Sequence, residues 1–547
     1  VLSFAYLRDE DEGRISLGHA YLFEQRGVAS PGSVELEGGL VRANKAAPRT
    51  VGIGIQYDVD DPDEPGGSLG RLLMQTCLLP ERDEPYLLSF ELARRRIMMM
   101  LEELEERGLF GLPSDDPVMS RFTQAREAFL QALVLQRKEP DDRLSGFSIE
   151  ADRQAKRAIA LSVAAGEELI TRESDRLITH RATGEEYAHA FKVARSGPEG
   201  DAIAEGAPVR APAASYTVVR GMPRVGCAVD TRSISDPVTS AAAKACDFVV
   251  VPMRWIDMEP SEGAYSFAST DKWIEWAVRT GRKNVTAGPL VDFRRSAVPE
   301  WLHIWENDYE TLRELVYEHV RQLVIRYRRT VGTWTLTSGL HASRDFSLAP
   351  EQAIDLTRVC AMVLRKLHPK ATLVVEVSQP WGDYADPKGD LPPTLYCQLL
   401  SEAAVSFDAI GLRLQMGSPA PGGGVRDLLS ISHLLDRYAE FERPLAISAC
   451  GAPSTNIGEQ PGWWKSGWTP ETQARWLTEV GRLAASKPYV RSFAWHQLSD
   501  GQGDRKPIEM ESGGLVDASG AAKEGLSKLA LLRRELHEAT AKQAESA

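Results

Sequence analysis

Residues Phe248–Val251 form a run of four apolar positions closed by Pro252. Four residues are too few for a helix, and a run without polar alternation has both faces buried, the pattern of a strand inside a parallel sheet. Arg254-Trp255 follows where that strand ends, then Glu259-Pro260, then a stretch from Asp271 with apolar residues at helical spacing. Similar short runs recur at Val225–Val229, Val285–Val291, Thr333–Leu336, Thr372–Val377, Ala409–Leu414, Leu445–Ser448 and Ser492–Trp495. Eight such runs separated by helices, over about 310 residues, predict one (β/α)8 TIM barrel with its chemistry at the C-terminal strand ends.

The chain has 547 residues, too many for a single core, and reads as a multidomain α+β protein. Residues 1–85 hold short, partly alternating runs split by Gly, Pro, Asp and Asn, which predict a jelly-roll-like β-sandwich. Residues 86–194 turn helical: one helix stops at Gly108, a second opens at Asp115-Asp116-Pro117, and a third, Ala-rich and charged, runs from about Ser148 to Ile178. Met98–Met100 sit at core spacing on the first of these. Residues 195–220 are rich in Gly, Pro and Ala without periodicity and read as a linker. The barrel is assigned to residues 221–535 and a C-terminal tail to 536–547.

A net charge of −13 argues against nucleic acid and anionic membrane surfaces as partners. No apolar run approaches the ~20 residues needed to span a bilayer. The N-terminus lacks a basic segment followed by an apolar core, which points to the cytoplasm; a processed N-terminus would leave secretion open. The six cysteines are scattered, with no CxxC pair and no His at ligand spacing, so neither a metal nor a cofactor is expected.

The stretch from Arg254 to Trp301 resembles glycoside hydrolase family 10, the retaining endo-1,4-β-xylanases. Arg254-Trp255, Glu259-Pro260, Gly263, Tyr265, Phe267, Asp271, Leu290-Val291, Pro299 and Trp301 carry the likeness. They stand against the family's NEMKW run, its E-P-x-x-G-x-F-x-F turn, its L-V-W-H strand end and its P-x-W. Gly514 to Lys523 is similar to the family's last turn. The resemblance implies a TIM barrel, a glycan ligand, and Arg254, Trp255, Trp334, Arg413, Gln415 and Trp495 as substrate-binding positions. All 12 tryptophans lie between Trp255 and Trp495, and indole faces suit the apolar faces of pyranose rings.

The family's two catalytic glutamates are not matched. Its acid/base ends strand four in W-D-V-V-N-E, where this chain reads Trp334 to Gly339, with Ser338 for the Asn and Gly339 for the Glu. Its nucleophile ends strand seven in I-T-E-L-D, where this chain reads Ile447 to Gly451, with Ala449 in the nucleophile's place. Phe293 and Gln415 stand for two of the family's histidines, and Arg413 for its Gln. Retaining hydrolysis needs two carboxyl groups about 5–5.5 Å apart, and neither Gly nor Ala supplies one. Asp292, Asp383 and Asp500 are the fallback acids at or near strand ends. Glu376, inside a strand of valines, calls for a counter-charge from Arg254 or Arg413. Three readings follow: a degenerate barrel that binds an oligosaccharide or polysaccharide or serves as a scaffold; a divergent hydrolase of xylan-type glycans using other carboxylates; and a structural, self-assembling protein whose homo-oligomer contacts come from the sandwich or the helices.

Overall fold

The structure, a computed structural model, describes residues 2–11, 13–46, 49–183, 216–384, 391–458, 462–501 and 509–546. The expected linker lies mostly outside these residues.

The N-terminal strands are β1 (Leu2–Ala5), β2 (Ile15–Phe23), β3 (Ala29–Ser30), β4 (Gly32–Glu37), β5 (Leu40–Lys45), β6 (Gly52–Asp60), β7 (Ser68–Gln75) and β8 (Tyr86–Leu87). They form two sheets, one ordered β4-β5-β1-β8 and the other containing β7-β6-β2-β3. Three long helices follow: α1 (Leu88–Glu106), α2 (Pro117–Leu135) and α3 (Ile149–Thr183). Gly108 ends the first in the left-handed region at φ 65°, where only a residue without Cβ sits freely. Asp116 caps the second by accepting a hydrogen bond from the Val118 N–H at 3.0 Å, with Pro117 in the first turn. Met99 and Met100 are core, while Met98 is 42% exposed.

The barrel strands are β9 (Arg224–Ala228), β10 (Phe248–Val251), β11 (Asn284–Ala287), β12 (Val291–Asp292), β13 (Thr333–Ser338), β14 (Thr372–Val377), β15 (Ala409–Gln415), β16 (Leu445–Gly451) and, after a two-residue loop strand β17 (Trp463–Trp464), β18 (Val490–Trp495). All barrel pairings are parallel, and β9 joins both β10 and β18, so the sheet closes. Expected as one strand from Val285 to Val291, the third staves instead as two pieces, β11 and β12, broken at Gly288-Pro289. Proline has no N–H to give the ladder, and a Cβ on Gly288 would lie 2.4 Å from the Thr335 carbonyl oxygen.

Outward-facing strand residues such as Val249, Val251, Leu373, Val375 and Leu412 are fully buried under the helices. The inner wall is different. It presents small side chains, among them Ala228, Thr286, Thr335, Ser448 and Ala494, around a cavity of about 650 Å³ that runs along the barrel. Gly411 belongs to this wall, since a Cβ there would meet Val374 at 3.0 Å and Ser448 at 3.2 Å. A TIM barrel whose interior is filled by branched side chains has no such space.

The N-terminal half and the barrel share one hydrophobic core, which extends from Leu2 to Leu536. Polar groups fix the join. Arg96 on α1 forms a two-bond pair with Asp427 at 3.1 and 2.8 Å, both side chains nearly inaccessible. Glu167 on α3 accepts from the Leu428 N–H at 2.8 Å and the Trp464 indole at 3.1 Å. Arg181 donates to the carbonyls of Ala485, Lys487 and Val490. β17 then pairs antiparallel with β7, placing a barrel loop at the edge of the N-terminal five-stranded sheet. The closing helix, Glu524–Ser546, runs straight through the residues read as a tail.

Candidate functional site

Two structures are built at the C-terminal end of the barrel. The first is the turn after β10. Trp255 starts a short helix, Trp255–Met258, and its indole N–H donates to Glu259 at 2.8 Å. The other Glu259 oxygen accepts from the Gly263 N–H at 2.8 Å. Trp301 donates to the Glu259 carbonyl at 3.0 Å, and the His319 ring stacks on Trp255 at 4.1 Å. Burial would raise the Glu259 pKa, but the donors around it, His319, Trp255, Gly263 and Tyr265, leave it lowered. Both oxygens accept from donors within the turn, so this carboxylate fixes the turn.

The second structure is the mouth. Ser338, at the end of β13, donates to Glu376 on β14 at 2.6 Å. Arg413 on β15 donates to Glu376 at 3.0 Å through Nη1 and to Glu509 and Gln415 through Nη2. Arg294 grips Asp292, at the end of β12, by several bonds of 2.6 to 3.1 Å and reaches Glu509 at 3.2 Å. Gln415 donates to Glu509 at 3.2 Å and to His496 Nδ1 at 2.9 Å. His496 Nε2 faces the Gly513 carbonyl at 3.2 Å. With Nε2–H donating and Nδ1 accepting, this histidine is the neutral tautomer, and burial pushes its pKa down to about 4. Three carboxylates and two guanidinium groups thus pair among themselves. Burial alone would raise the Glu509 pKa, yet Arg294 and Arg413 hold it well below the ordinary carboxylate range. It is ionised at any working pH.

The residues singled out in the sequence are scattered by this arrangement. Asp292, Arg254, Trp255, Arg413 and Ala449 line the cavity. Arg254 is paired with Asp257 at 2.6 Å, and Arg413 is the counter-charge to Glu376. Gln415 joins the network at the rim. Asp500 instead pairs with Lys523 at 2.6 Å and caps the Gly514 N–H. Asp383 pairs with Arg426 at 3.1 Å, beside the loop that meets the N-terminal sheet. Trp334 faces the outer helices, where its indole reaches His368 at 3.3 Å. Trp495 is fully buried and donates to the Gly513 carbonyl. Gly339 follows β13 in the left-handed region at φ 63°.

Sequence reasoning passed over Arg294, His496 and Glu509. His496 directly follows Trp495 and was within reach of the strand-end rule. Glu509 arrives on the loop after β18, with no pattern in the sequence to mark it. None of the 12 tryptophans is more than half-exposed, and of them only Trp255 lines the cavity. Trp463 lies under Arg71 of β7, and Trp381 under Arg426, so these loop indoles serve the junction with the N-terminal half.

Residues 216–337 match the family model of glycosyl hydrolase family 10. The barrel is glycoside hydrolase family 10-like. Endo-1,4-beta-xylanase B of Humicola insolens is similar, at 29% identity over 85 residues, and that stretch spans 16% of this chain but only 23% of the relative's length. Among solved structures, a GH10 protein from Paenibacillus barcinonensis is 20% identical with a TM-score of 0.44, covering 56% of this chain and 94% of its own. Native xylanase 10B from Thermotoga maritima is 17% identical with a TM-score of 0.44, covering 58% and 96%. The family match within this family-10-like barrel takes in β9 to β12 and most of β13, and stops just short of Ser338 and Gly339.

Proposed function

We propose that this protein is a catalytically degenerate, family-10-like barrel that serves as a scaffold for its N-terminal half, which we read as sandwich-like. The observation that carries the proposal is the missing acid. Gly339 and Ala449 stand where the resembled family has its acid/base and its nucleophile, and a Cβ on Gly339 would lie 2.5 Å from the Ser378 hydroxyl. Among the acids that do reach the mouth, Glu509 is fixed in its ionised form by two arginines. A general acid needs its pKa raised toward the working pH, not lowered. The loops after the sixth and seventh barrel strands support the scaffold role: Val425 accepts from the Leu73 N–H at 2.7 Å, Ser418 faces His19 at 3.0 Å, and β17 extends the N-terminal sheet.

The test is turnover of a xylo-oligosaccharide panel with an aryl-glycoside control. The expected result is no release above buffer. Turnover that Asp292→Asn or Asp500→Asn abolishes would replace this reading with a hydrolase using rebuilt carboxylates. A second reading, retention of a short saccharide in the mouth, is favoured by Trp255 lining the cavity. Calorimetry with xylobiose on the wild type and Trp255→Ala decides it.

A further inference from the structure

The cavity along the barrel opens at two ends of opposite character. At the C-terminal end every lining guanidinium group is paired: Arg254 with Asp257, Arg294 with Asp292 and Glu509, and Arg413 with Glu376 and Glu509. At the N-terminal end the lining includes Arg220, Arg224 and Arg491. Among the described residues none of these three side chains has a hydrogen bond or an ion pair. Arg224 opens β9, Arg491 lies near the start of β18, and the two strands are neighbours in register, Arg224 beside Ser492. Arg220 rides on the segment that crosses this end, which is pinned where the Val219 N–H donates to the Pro488 carbonyl at 2.9 Å.

Arg491 is the decisive member, because Arg220 and Arg224 are exposed and water can satisfy them, while Arg491 is half-buried. The carboxylate that acts on it electrostatically, Asp408, has both oxygens engaged, one by Arg365 at 2.7 Å and the other by the Leu373 N–H at 2.7 Å. Burial lowers the Arg491 pKa; Asp408 works against this and the Arg224 charge adds to it. A half-buried guanidinium beside a second one, with no anion of its own, is costly unless an anion joins it. The wall beyond offers hydroxyl groups at Ser492, Thr286 and Thr335.

We propose that the N-terminal end of the barrel is a binding site for a phosphate-bearing small molecule, held by Arg491, Arg224 and Arg220. Guanidinium groups present planar, forked donors that match phosphate oxygens, and a dianion answers several positive charges better than a single carboxylate does. The site lies at the end of the barrel opposite the mouth, and it stands or falls independently of whether the mouth hydrolyses or binds glycan.

The experiment is calorimetric titration of the full chain with inorganic phosphate and with pyrophosphate, acetate serving as the carboxylate arm and chloride keeping ionic strength constant. Saturable 1:1 binding of phosphate or pyrophosphate is expected, with Kd of about 1 mM or tighter, and weaker or no binding of acetate. Arg491→Gln should weaken it about tenfold or more, and added salt should weaken it further. Arg279→Gln, which removes the same charge from an exposed pair with Glu275, should leave it unchanged. Should Arg491→Gln fail to fold, Arg224→Gln at its exposed position gives the same readout. Absence of saturable binding, binding that survives the Arg224→Gln/Arg491→Gln double substitution, or equal weakening by Arg279→Gln overturns the proposal.

Discussion

Glu259 and Glu376 are both carboxylates buried at the C-terminal end of the barrel, 5% and 4% exposed, and they are held in opposite ways. Glu259 is satisfied by neutral donors, an indole and a backbone N–H, within a single β/α unit. Glu376 is satisfied by a hydroxyl and a guanidinium from its two neighbouring strands, and that guanidinium is shared with Glu509 from a distant loop. The first arrangement is mostly local: the spacing Trp255, Glu259, Gly263 supplies both hydrogen bonds, with His319 of the following unit stacked on Trp255. The second is assembled from β12, β13, β14, β15 and the loop after β18. The match to the glycosyl hydrolase family 10 model takes in the first and stops short of Ser338, Glu376, Arg413 and Glu509 of the second. A change at the mouth can therefore leave the turn standing, because neither hydrogen bond that holds the Glu259 carboxylate comes from a residue of the mouth network.

The comparison is most directly broken at Arg413. Removing one partner from a buried ionic cluster leaves the others unpaired, and Arg413→Met is expected to cost about 3–5 kcal/mol. Denaturant unfolding measures it. Replacing Arg413, Glu376 and Glu509 together by apolar residues of similar size should recover most of that loss. If the single substitution is nearly silent, the mouth is an open, hydrated site and not the closed network described here.

Next in size is the histidine beside that cluster. His496 is buried and neutral with its pKa lowered to about 4, against about 6.5 in an unfolded chain. The unfolded chain therefore takes up a proton that the folded one refuses, and stability falls as pH drops from about 6.5 to 4, by about 3 kcal/mol from this residue. His496→Gln should flatten that part of the thermal-stability profile. His341, also buried with a pKa of about 4, contributes a similar slope, which the substitution leaves in place. A profile unchanged by His496→Gln would mean that the ring is already charged and takes part in the ionic network.

The same contrast explains what could be read in advance. Phe248–Val251 and Thr372–Val377 were legible to the residue because a strand buried on both faces is built mainly of apolar residues, and polar or turn residues bound it. The helix ends at Gly108 and Asp116 were legible because capping is local chemistry. Glu376 could be expected to find a partner because a charge in an apolar strand demands one; the sequence left Arg254 and Arg413 open, and the structure supplies Arg413. Arg294 and Glu509 were not legible, because their role depends on which loop tips meet across the barrel. Nor was the fate of Trp463 and Trp464: nothing in a Trp-Trp pair says that it will become an edge strand on β7. The hollow interior escaped notice for a different reason, since Ala, Ser and Thr at inward positions fit a strand pattern as well as Val or Ile would.

A smaller effect sharpens the other side of the comparison. Both oxygens of Glu259 accept from donors that cannot move away, the Trp255 indole and the Gly263 N–H. An amide can accept from one of them only and must turn its own N–H toward the other. Glu259→Gln is thus expected to cost about 1–3 kcal/mol, the penalty of one unsatisfied buried donor. Thermal unfolding would register it, and a neutral result would show that water already enters the turn.

The smallest effect is expected at the rim of the mouth. Arg294 bonds both Asp292 and Glu509, as Arg413 bonds both Glu376 and Glu509, so a count of contacts would rank the two arginines alike. Their surroundings do not. The Arg294 side chain is 42% exposed, whereas that of Arg413 is 8% exposed. Water screens the half-exposed guanidinium, and neither carboxylate is left bare without it: Asp292, 5% exposed, keeps the Arg294 backbone N–H, and Glu509 keeps Arg413 and Gln415, which limits the loss to about 1 kcal/mol. Arg294→Gln should therefore shift the unfolding midpoint only slightly, and less still in high salt. A loss as large as that of Arg413→Met would place Arg294 inside the closed part of the mouth and make the two arginines a single unit.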